Sequence, residues 1–477
     1  MRQASSATGL IGIDTVTDSG VDPIDSEFLK CDRPVFRVSF HTLGCRLNQS
    51  ESAALEGGFA AEGFEIVEEI APSDLCIINT CFVTGQAEAK CRHLIRKLLR
   101  QNPRVFVAVT GCYAQAGMEA LRQIAGIDLI AGTDQKMALP GLVRTVLEDK
   151  GAFEEGAIQK SETPVVYHSP RIGHADFEIP NLSVLEEATR SNVKIQDGCD
   201  FFCSFCIIPT TRGRSRSRRF DDVIREALNW ATRGHLEIVL TGVNLGEYQH
   251  EGRDLADLIE ALDEIDGLER IRISSIEPTT VSERMIHLMA DSNKLCPYLH
   301  LPLQSGSDRV LDAMGRRYTR EDYRSFVMDV MENIPNLGLG TDVMVGFPGE
   351  TEADFEETVS LIETLPFTYL HVFPYSRREG TRVTRSNLSS VDPTVIKARA
   401  AALCALSDQK RKTFYRKAIG ATASVLFETR LADGRFSGLT ENYIRVAAVS
   451  DRDLRGRIAP VRIASLADKF AAGKLAG

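Results

Sequence analysis

The sequence predicts an α/β protein with three folded parts. These are an N-terminal Rossmann- or flavodoxin-like parallel sheet, a central partial (β/α)6 barrel, and a small C-terminal antiparallel β-barrel. Three observations predict it: strand and helix patterns alternate from Pro34 onward, a second alternation starts at Val193 and repeats six times, and period-two patterning around glycines closes the chain. The 477 residues are 43% hydrophobic and 26% charged, an ordinary globular composition that provides for about two to four cores. Disorder and collagen-like architecture are excluded for most of the chain.

Residues 1–32 are rich in Ser, Thr, Asp and Gly without any period and read as a flexible leader. Residues 35–40, 75–78 and 105–109 read as strands, with helices at 50–61 and 86–100, so a first domain spans 33–150. Pro164, Pro170 and Pro180 break the rhythm, which makes 151–190 the expected linker. Strands are then expected at 193–196, 237–240, 270–274, 298–301, 339–345 and 369–373, with helices such as 221–232 and 320–333 between them. That pattern gives a core at 191–410, since right-handed crossovers put the helices outside. After a long helix near 393–416, segments 423–428, 436–449 and 458–463 alternate around Gly434, Gly438 and Gly456, a small barrel of OB-like size within 411–477.

No stretch approaches the ~18 apolar residues of a membrane span. Leu10-Ile11-Gly12-Ile13 is too short for a signal-peptide core, so a cytosolic location is expected. There the eleven cysteines stay reduced and serve as metal ligands or buried packing. The net charge of −10 hides a basic C-terminal part, which points to nucleic acid or to a merely solvated face.

The strongest local signal is Cys199-Asp-Phe-Phe-Cys203-Ser-Phe-Cys206, a C-x₃-C-x₂-C loop after the first barrel strand. Three thiolates converge there with no fourth Cys or His nearby, and Phe201, Phe202 and Phe205 can shield them. A 4Fe–4S cluster held by three cysteines leaves one iron open. A zinc knuckle with a distant ligand, or buried thiols, are the alternatives. Further motifs follow the later strands: Thr241, Gly242 and Asn244; Ser275 and Glu277; Gln304; Asp342 and Gly346. They fall where ligands collect in parallel barrels; ordinary βα turns are the alternative. A second cysteine set, Cys45, Cys81 and Cys112, follows three successive strands of the first domain, at one sheet edge. It can hold a second open-iron cluster or consist of buried thiols. Cys31, Cys76, Cys91, Cys296 and Cys404 have no partner at ligand spacing. Arg212, Arg214, Arg216, Arg218 and Arg219 crowd just past the cluster loop, where they can grip RNA phosphates and stack on bases or form a solvated loop.

The cluster loop, with Phe205 just before its last cysteine, resembles that of the radical S-adenosylmethionine (SAM) enzymes. In that family the open iron binds S-adenosylmethionine, whose reductive cleavage yields the 5′-deoxyadenosyl radical. With the Cys45/Cys81/Cys112 pattern added, residues 33–477 resemble the methylthiotransferases. Phe436-Ser-Gly438-Leu-Thr-Glu-Asn442-Tyr-Ile-Arg-Val and Leu454-Arg-Gly456-Arg-Ile are similar to a TRAM domain, an RNA-binding barrel. Thr42-Leu-Gly-Cys-Arg-Leu-Asn-Gln, Lys194-Ile-Gln-Asp-Gly-Cys, the run from Cys206 to Arg218 and His371-Val-Phe-Pro-Tyr-Ser-Arg-Arg-Glu-Gly380-Thr look most like the threonylcarbamoyladenosine branch. The Asp-Phe-Phe interior of the cluster loop departs from the Asn-rich version expected there.

The resemblance implies methylthiolation of C2 of N6-threonylcarbamoyladenosine beside the tRNA anticodon. It implies two 4Fe–4S clusters, held by Cys199/Cys203/Cys206 and by Cys45/Cys81/Cys112, and S-adenosylmethionine used twice. Phe205, Thr241, Gly242, Asn244, Ser275, Glu277, Gln304, Asp342 and Gly346 are then the expected cofactor-binding residues. Implied partners are the tRNA anticodon stem-loop, an electron donor such as flavodoxin or ferredoxin, and a sulfur donor. The alternatives are the same chemistry on isopentenyladenosine or on an aspartate of ribosomal protein S12, and a non-catalytic zinc-containing RNA-binding protein.

Overall fold

Residues 34–174, 176, 177, 179, 189–467 and 469–476 are described by a computed structural model; the expected leader at 1–32 lies outside them. The first domain is built on six parallel strands in the order Glu65–Val67, Arg37–Thr42, Leu75–Thr80, Phe106–Gly111, Leu129–Ala131, Val165–Tyr167. Leu75–Thr80 and Phe106–Gly111 are buried along their whole length, as expected of parallel strands covered on both faces. Three of the six strands depart from the expectation. Each is three residues long, too short to show a period. Val165–Tyr167 lies inside the expected linker, so the sheet runs past the expected boundary at 150.

Six parallel strands form the core as two ladders, Arg270–Ile273, Glu237–Thr241, Arg190–Lys194 and Tyr298–His300, Gly338–Val345, Tyr369–Pro374. Isolated bridges Ile271↔Leu295 and Ser275↔His300 join them into one open arc. Val193, Leu240, Ile273, Leu299, Leu339 and Val343 point outward from it and pack against helix residues such as Val223, Leu258, Leu262 and Val327 in one apolar core, leaving the inner face to the site. The expected strands are present, the first starting three residues early. Pro393–Lys417, capped by Asp392, is one 25-residue helix, so it crosses the boundary expected at 410/411.

The last part is a closed five-stranded barrel: Thr422–Arg430, Phe436–Thr440, Arg445–Ala448, Ala471–Leu475, Ile458–Leu466. Its pairings are antiparallel except Arg445–Ala448 with Ala471–Leu475, which is parallel; this corrects the fully antiparallel expectation. The expected strand 436–449 is a hairpin of two strands. Ala471–Leu475 escapes sequence reasoning, because its Ala-Ala-Gly-Lys-Leu sequence carries no β-branched or aromatic residue.

Candidate active site

The core cysteine loop is tied at its base by a short antiparallel ladder, Gln196↔Ser217 and Asp197↔Arg216. Gly198 starts it with φ +72, and a Cβ there would sit 1.9 Å from the Arg214 carbonyl oxygen, so only glycine fits. The Cys199 amide donates to Gly213 O (3.2 Å), that of Cys206 to Cys203 O (3.1 Å), and that of Ser204 to Met314 O (2.7 Å). Arg316 donates to Cys203 Sγ at 3.4 Å and pairs with Glu277 at 3.0 Å. Burial pushes the Cys206 thiol up to about 12 and raises Cys199 and Cys203 as well. Three partly buried free thiols become thiolates only beside compensating positive charge, so this donor set fits a metal cluster. Phe201 is buried and Phe205 packs edge-on to Phe347 at 6.5 Å. Phe202 is 41% exposed with φ +50, so it does not provide the expected shielding.

The strands carrying Cys45, Cys81 and Cys112 are neighbours in the N-terminal sheet, and the first two flank the point where the strand order reverses. Ligands collect at such switch points. Cys45 caps the helix Arg46–Ala61, and Cys112 opens the helix Cys112–Ala116. A Cβ on Gly44 would come within 3.2 Å of Cys81 Sγ. Asn48 Nδ2 donates to Leu43 O (2.7 Å) and Thr80 O (3.1 Å), locking two of the three loops together. Burial raises Cys81 to about 11, and it lies within electrostatic reach of Cys112, Cys45 and Cys91. Cys91, expected to be a bystander, thus stands beside this set, its thiol donating to Cys81 O at 3.5 Å. Cys76 packs inside its strand, hydrogen-bonded to Ser39 Oγ.

A buried charge network joins the two cysteine loops. Glu51 accepts from Lys136, from Lys194 Nζ (2.6 Å) and from Arg212 Nη1 (2.9 Å). Asp197 accepts from Lys194 Nζ (2.7 Å) and Arg212 Nη1 (3.0 Å). Arg212 Nη2 also reaches Asn48 Oδ1 at 2.7 Å, and its guanidinium lies within reach of Cys112 and Cys45. Burial opposes ionisation of Glu51, but Arg212, Lys136 and Lys194 outweigh it and hold the carboxyl well below its ordinary range.

These contacts correct the reading of the arginine run as an RNA grip. Arg212 and Arg218 are fully buried, Arg218 pairing with Asp222 and Glu226, and Arg216 reaches Asp197 at 3.5 Å. Only Arg214 and Arg219 are exposed, and Arg214 pairs with Asp200 at 2.9 Å. A buried guanidinium needs a fixed carboxylate, and carboxylates outside the run supply all of these.

All three domains line one cavity of about 740 Å³. Cys45 and Arg46 come from the first domain, the strand ends at Thr241, Gly242, Ser275 and Asp342 from the core, and Tyr443 and Arg445 from the small barrel. Asp342 Oδ1 lies 2.9 Å from His300 Nε2 and 3.4 Å from His371 Nδ1. Burial would raise that carboxyl, but the two adjacent imidazoles lower it. Tyr298 and Tyr443 stack at 4.5 Å, and the Tyr298 hydroxyl bonds that of Tyr369. Arg272 donates to Glu441 O (2.7 Å) and Arg270 to Leu439 O (3.1 Å), fixing the barrel turn that presents Tyr443.

The other expected cofactor-binding residues lie outside the cavity lining and act on the backbone or the cluster loop. Asn244 Oδ1 accepts from the Glu277 amide (3.1 Å) and Thr280 Oγ1 (3.1 Å), bracing that loop. Glu277 holds Arg316 against Cys203. Gln304 bridges strands through its backbone, donating to Asp342 O and accepting from Met344 N. Gly346 has φ +76, and a Cβ there would strike Ile396 at 2.4 Å, so packing accounts for it. Sequence reasoning gives no role to Arg46, His300, Arg316 or Tyr443. The available signal is slight: Tyr443 and His371 stand inside family-like motifs, and Arg46 directly follows Cys45.

Residues 193–362 match the Radical SAM superfamily, and residues 37–132 match the uncharacterized protein family UPF0004. The chain is 36% identical over 433 residues to threonylcarbamoyladenosine tRNA methylthiotransferase MtaB of Bacillus subtilis, covering 89% of this chain and 93% of that one. It is 35% identical to tRNA-2-methylthio-N(6)-dimethylallyladenosine synthase of Alkaliphilus oremlandii, covering 88% and 89%. Among solved structures, the radical S-adenosylmethionine methyltransferase TsrM from Kitasatospora setae shares the fold, with TM-score 0.51 and 16% identity over 71% of this chain and 72% of that one. Radical SAM enzymes use S-adenosylmethionine and a 4Fe–4S cluster, which the Cys199/Cys203/Cys206 donor set fits. No helix among the described residues is long and apolar enough to cross a membrane. With matches of this extent, the chain belongs to the radical SAM tRNA methylthiotransferase family.

Proposed function

We propose that the enzyme methylthiolates C2 of N6-threonylcarbamoyladenosine beside the tRNA anticodon, with one 4Fe–4S cluster on Cys199, Cys203 and Cys206 and a second on Cys45, Cys81 and Cys112. The observation that carries this reading is the shared cavity: Cys45 lines one wall and the core strand ends line another. When bound, the clusters and S-adenosylmethionine supply the radical and the sulfur. The chain's own residues place the base between them and exclude water. Thr241, Gly242 and Ser275 offer backbone and hydroxyl groups to S-adenosylmethionine. Arg46, Arg411 and Arg445 also line the cavity, which suits an adenosine substituent ending in a carboxylate. Exposed Arg452, Arg457, Arg462 and Lys474 on the small barrel suit RNA phosphates. A flavodoxin- or ferredoxin-type electron donor, a sulfur donor and a cytosolic location complete the proposal.

The matching level of identity to a dimethylallyladenosine synthase favours isopentenyladenosine as the second reading. Nucleoside mass spectrometry of tRNA from a deletion strain separates the two. Loss of the 2-methylthio form of threonylcarbamoyladenosine, with its precursor accumulating, is expected. Loss of the isopentenyl product instead supports the second reading. Unchanged methylthio-nucleosides overturn both, and the ribosomal-protein aspartate is then the substrate to assay. Family membership sets aside the zinc-containing binding module.

A further inference from the structure

We propose that Arg46, held by Tyr443, forms the subsite for the carboxylate of the adenosine's N6 substituent; this rests on the threonylcarbamoyl reading above. Arg46 is half-buried at the cavity, one residue after Cys45. Its Nη2 donates to the Tyr443 hydroxyl at 2.7 Å, and it forms no ion pair among the described residues. The other two cavity arginines have acidic neighbours: Arg411 lies 3.0 Å from Asp408, and Arg445 lies 4.0 Å from Glu428. Arg46 is therefore a partly desolvated cation whose remaining donors are not used by a carboxylate among the described residues. The planar partner that satisfies such a fork is a carboxylate.

The cavity also orients the anion. Asp342 on the core wall already has His300 at 2.9 Å and His371 at 3.4 Å as partners. The aromatic contacts run from His371 to Tyr369 (4.9 Å), from Tyr369 to Tyr443 (6.2 Å), and through the Tyr443 hydroxyl to Arg46. A carboxylate entering the cavity is drawn to Arg46, which has no ion pair among the described residues. An isopentenyl group would leave Arg46 without a counter-ion, which disfavours it. Tyr443 is set for this task by its left-handed backbone, φ +72, and by its stack on Tyr298.

The test measures binding of anticodon stem-loop RNAs to the full-length, cluster-reconstituted enzyme. The RNAs carry threonylcarbamoyladenosine, its methyl ester or isopentenyladenosine. The wild type is expected to bind the free acid about 10- to 100-fold more tightly than the ester, the range of a charge-assisted contact. Arg46→Gln, which keeps a donor for Tyr443, is expected to bind acid and ester within about twofold of each other. Arg46→Lys keeps most of the preference, and Tyr443→Phe reduces it without abolishing it. Cluster absorbance and the denaturation midpoint stay at wild-type values, which separates a lost subsite from a lost fold. An acid preference that survives in Arg46→Gln overturns the subsite and leaves the substrate reading standing. A wild type that prefers the isopentenyl RNA overturns the substrate reading, and the subsite with it.

Discussion

The two cysteine sites reach similar donor sets by opposite routes. In the core, three thiols lie on one loop closed by a two-rung ladder, so nearest neighbours in sequence set the geometry. In the first domain, the thiols follow three strands that are adjacent only because the sheet has its particular order. The three core thiols are alike in being half-buried, whereas in the first domain Cys81 and Cys112 are buried and Cys45 is exposed toward the cavity. A loop-borne set is a local motif whose three members share one environment. A sheet-borne site depends on the global fold and can present a group to substrate. Glu51, Asp197 and Arg212 then couple one to the other.

The largest expected effects test whether the two sites divide the chemistry. Cys203→Ala should lower 5′-deoxyadenosine formation by at least about 10³-fold, read by mass spectrometry after anaerobic reconstitution. Cys45→Ala should keep that cleavage within about threefold while the methylthio product disappears. If Cys45→Ala also loses cleavage, the sites are not separable and the comparison fails.

Next is the coupling network. Glu51→Gln leaves Lys136, Lys194 and Arg212 short of a buried counter-charge and should cost about 3–5 kcal/mol in chemical denaturation. Glu51 is held below its ordinary value of 4.5, so the unfolded chain takes up its proton first as the pH falls. The contribution of Glu51 is complete above that pH and is lost below it; Glu51→Gln should flatten the acid limb of the stability profile.

A smaller effect distinguishes loop from sheet. Gly198→Ala puts a Cβ 1.9 Å from Arg214 O and should lower iron incorporation into the core site. Gly63→Ala has a similar backbone, φ +86, but meets nothing within 4 Å; it should cost about 1–2 kcal/mol with iron content unchanged. The smallest effect is Arg214→Ala, an exposed pair with Asp200, which should leave both iron content and the denaturation midpoint unchanged.

The same contrast decides how much of the proposed site is legible in the sequence. Cys199, Cys203 and Cys206 are visible because their spacing is local. Cys45, Cys81 and Cys112 are visible only through the strand each one follows. The arginine run misleads because burial of Arg212 and Arg218 is decided by Glu51, Asp222 and Glu226, and Glu51 lies in another domain. The Thr241, Gly242 and Ser275 turns face the cavity, while Asn244, Gln304 and Gly346, drawn from equally turn-like motifs, serve the backbone; spacing does not distinguish these roles. Strands of three residues such as Leu129–Ala131 carry too little pattern to be seen, and Arg46 gains meaning only from Tyr443, nearly the whole chain away.

Tyr443 has a consequence for modularity. It belongs to the small barrel, yet it stacks on a core tyrosine and bonds an arginine of the first domain, so the cavity is incomplete without that barrel. A small terminal barrel of this kind is part of the cavity wall. Exchanging it between relatives would exchange part of the cavity lining with it, and this domain cannot diverge independently of the cavity it borders.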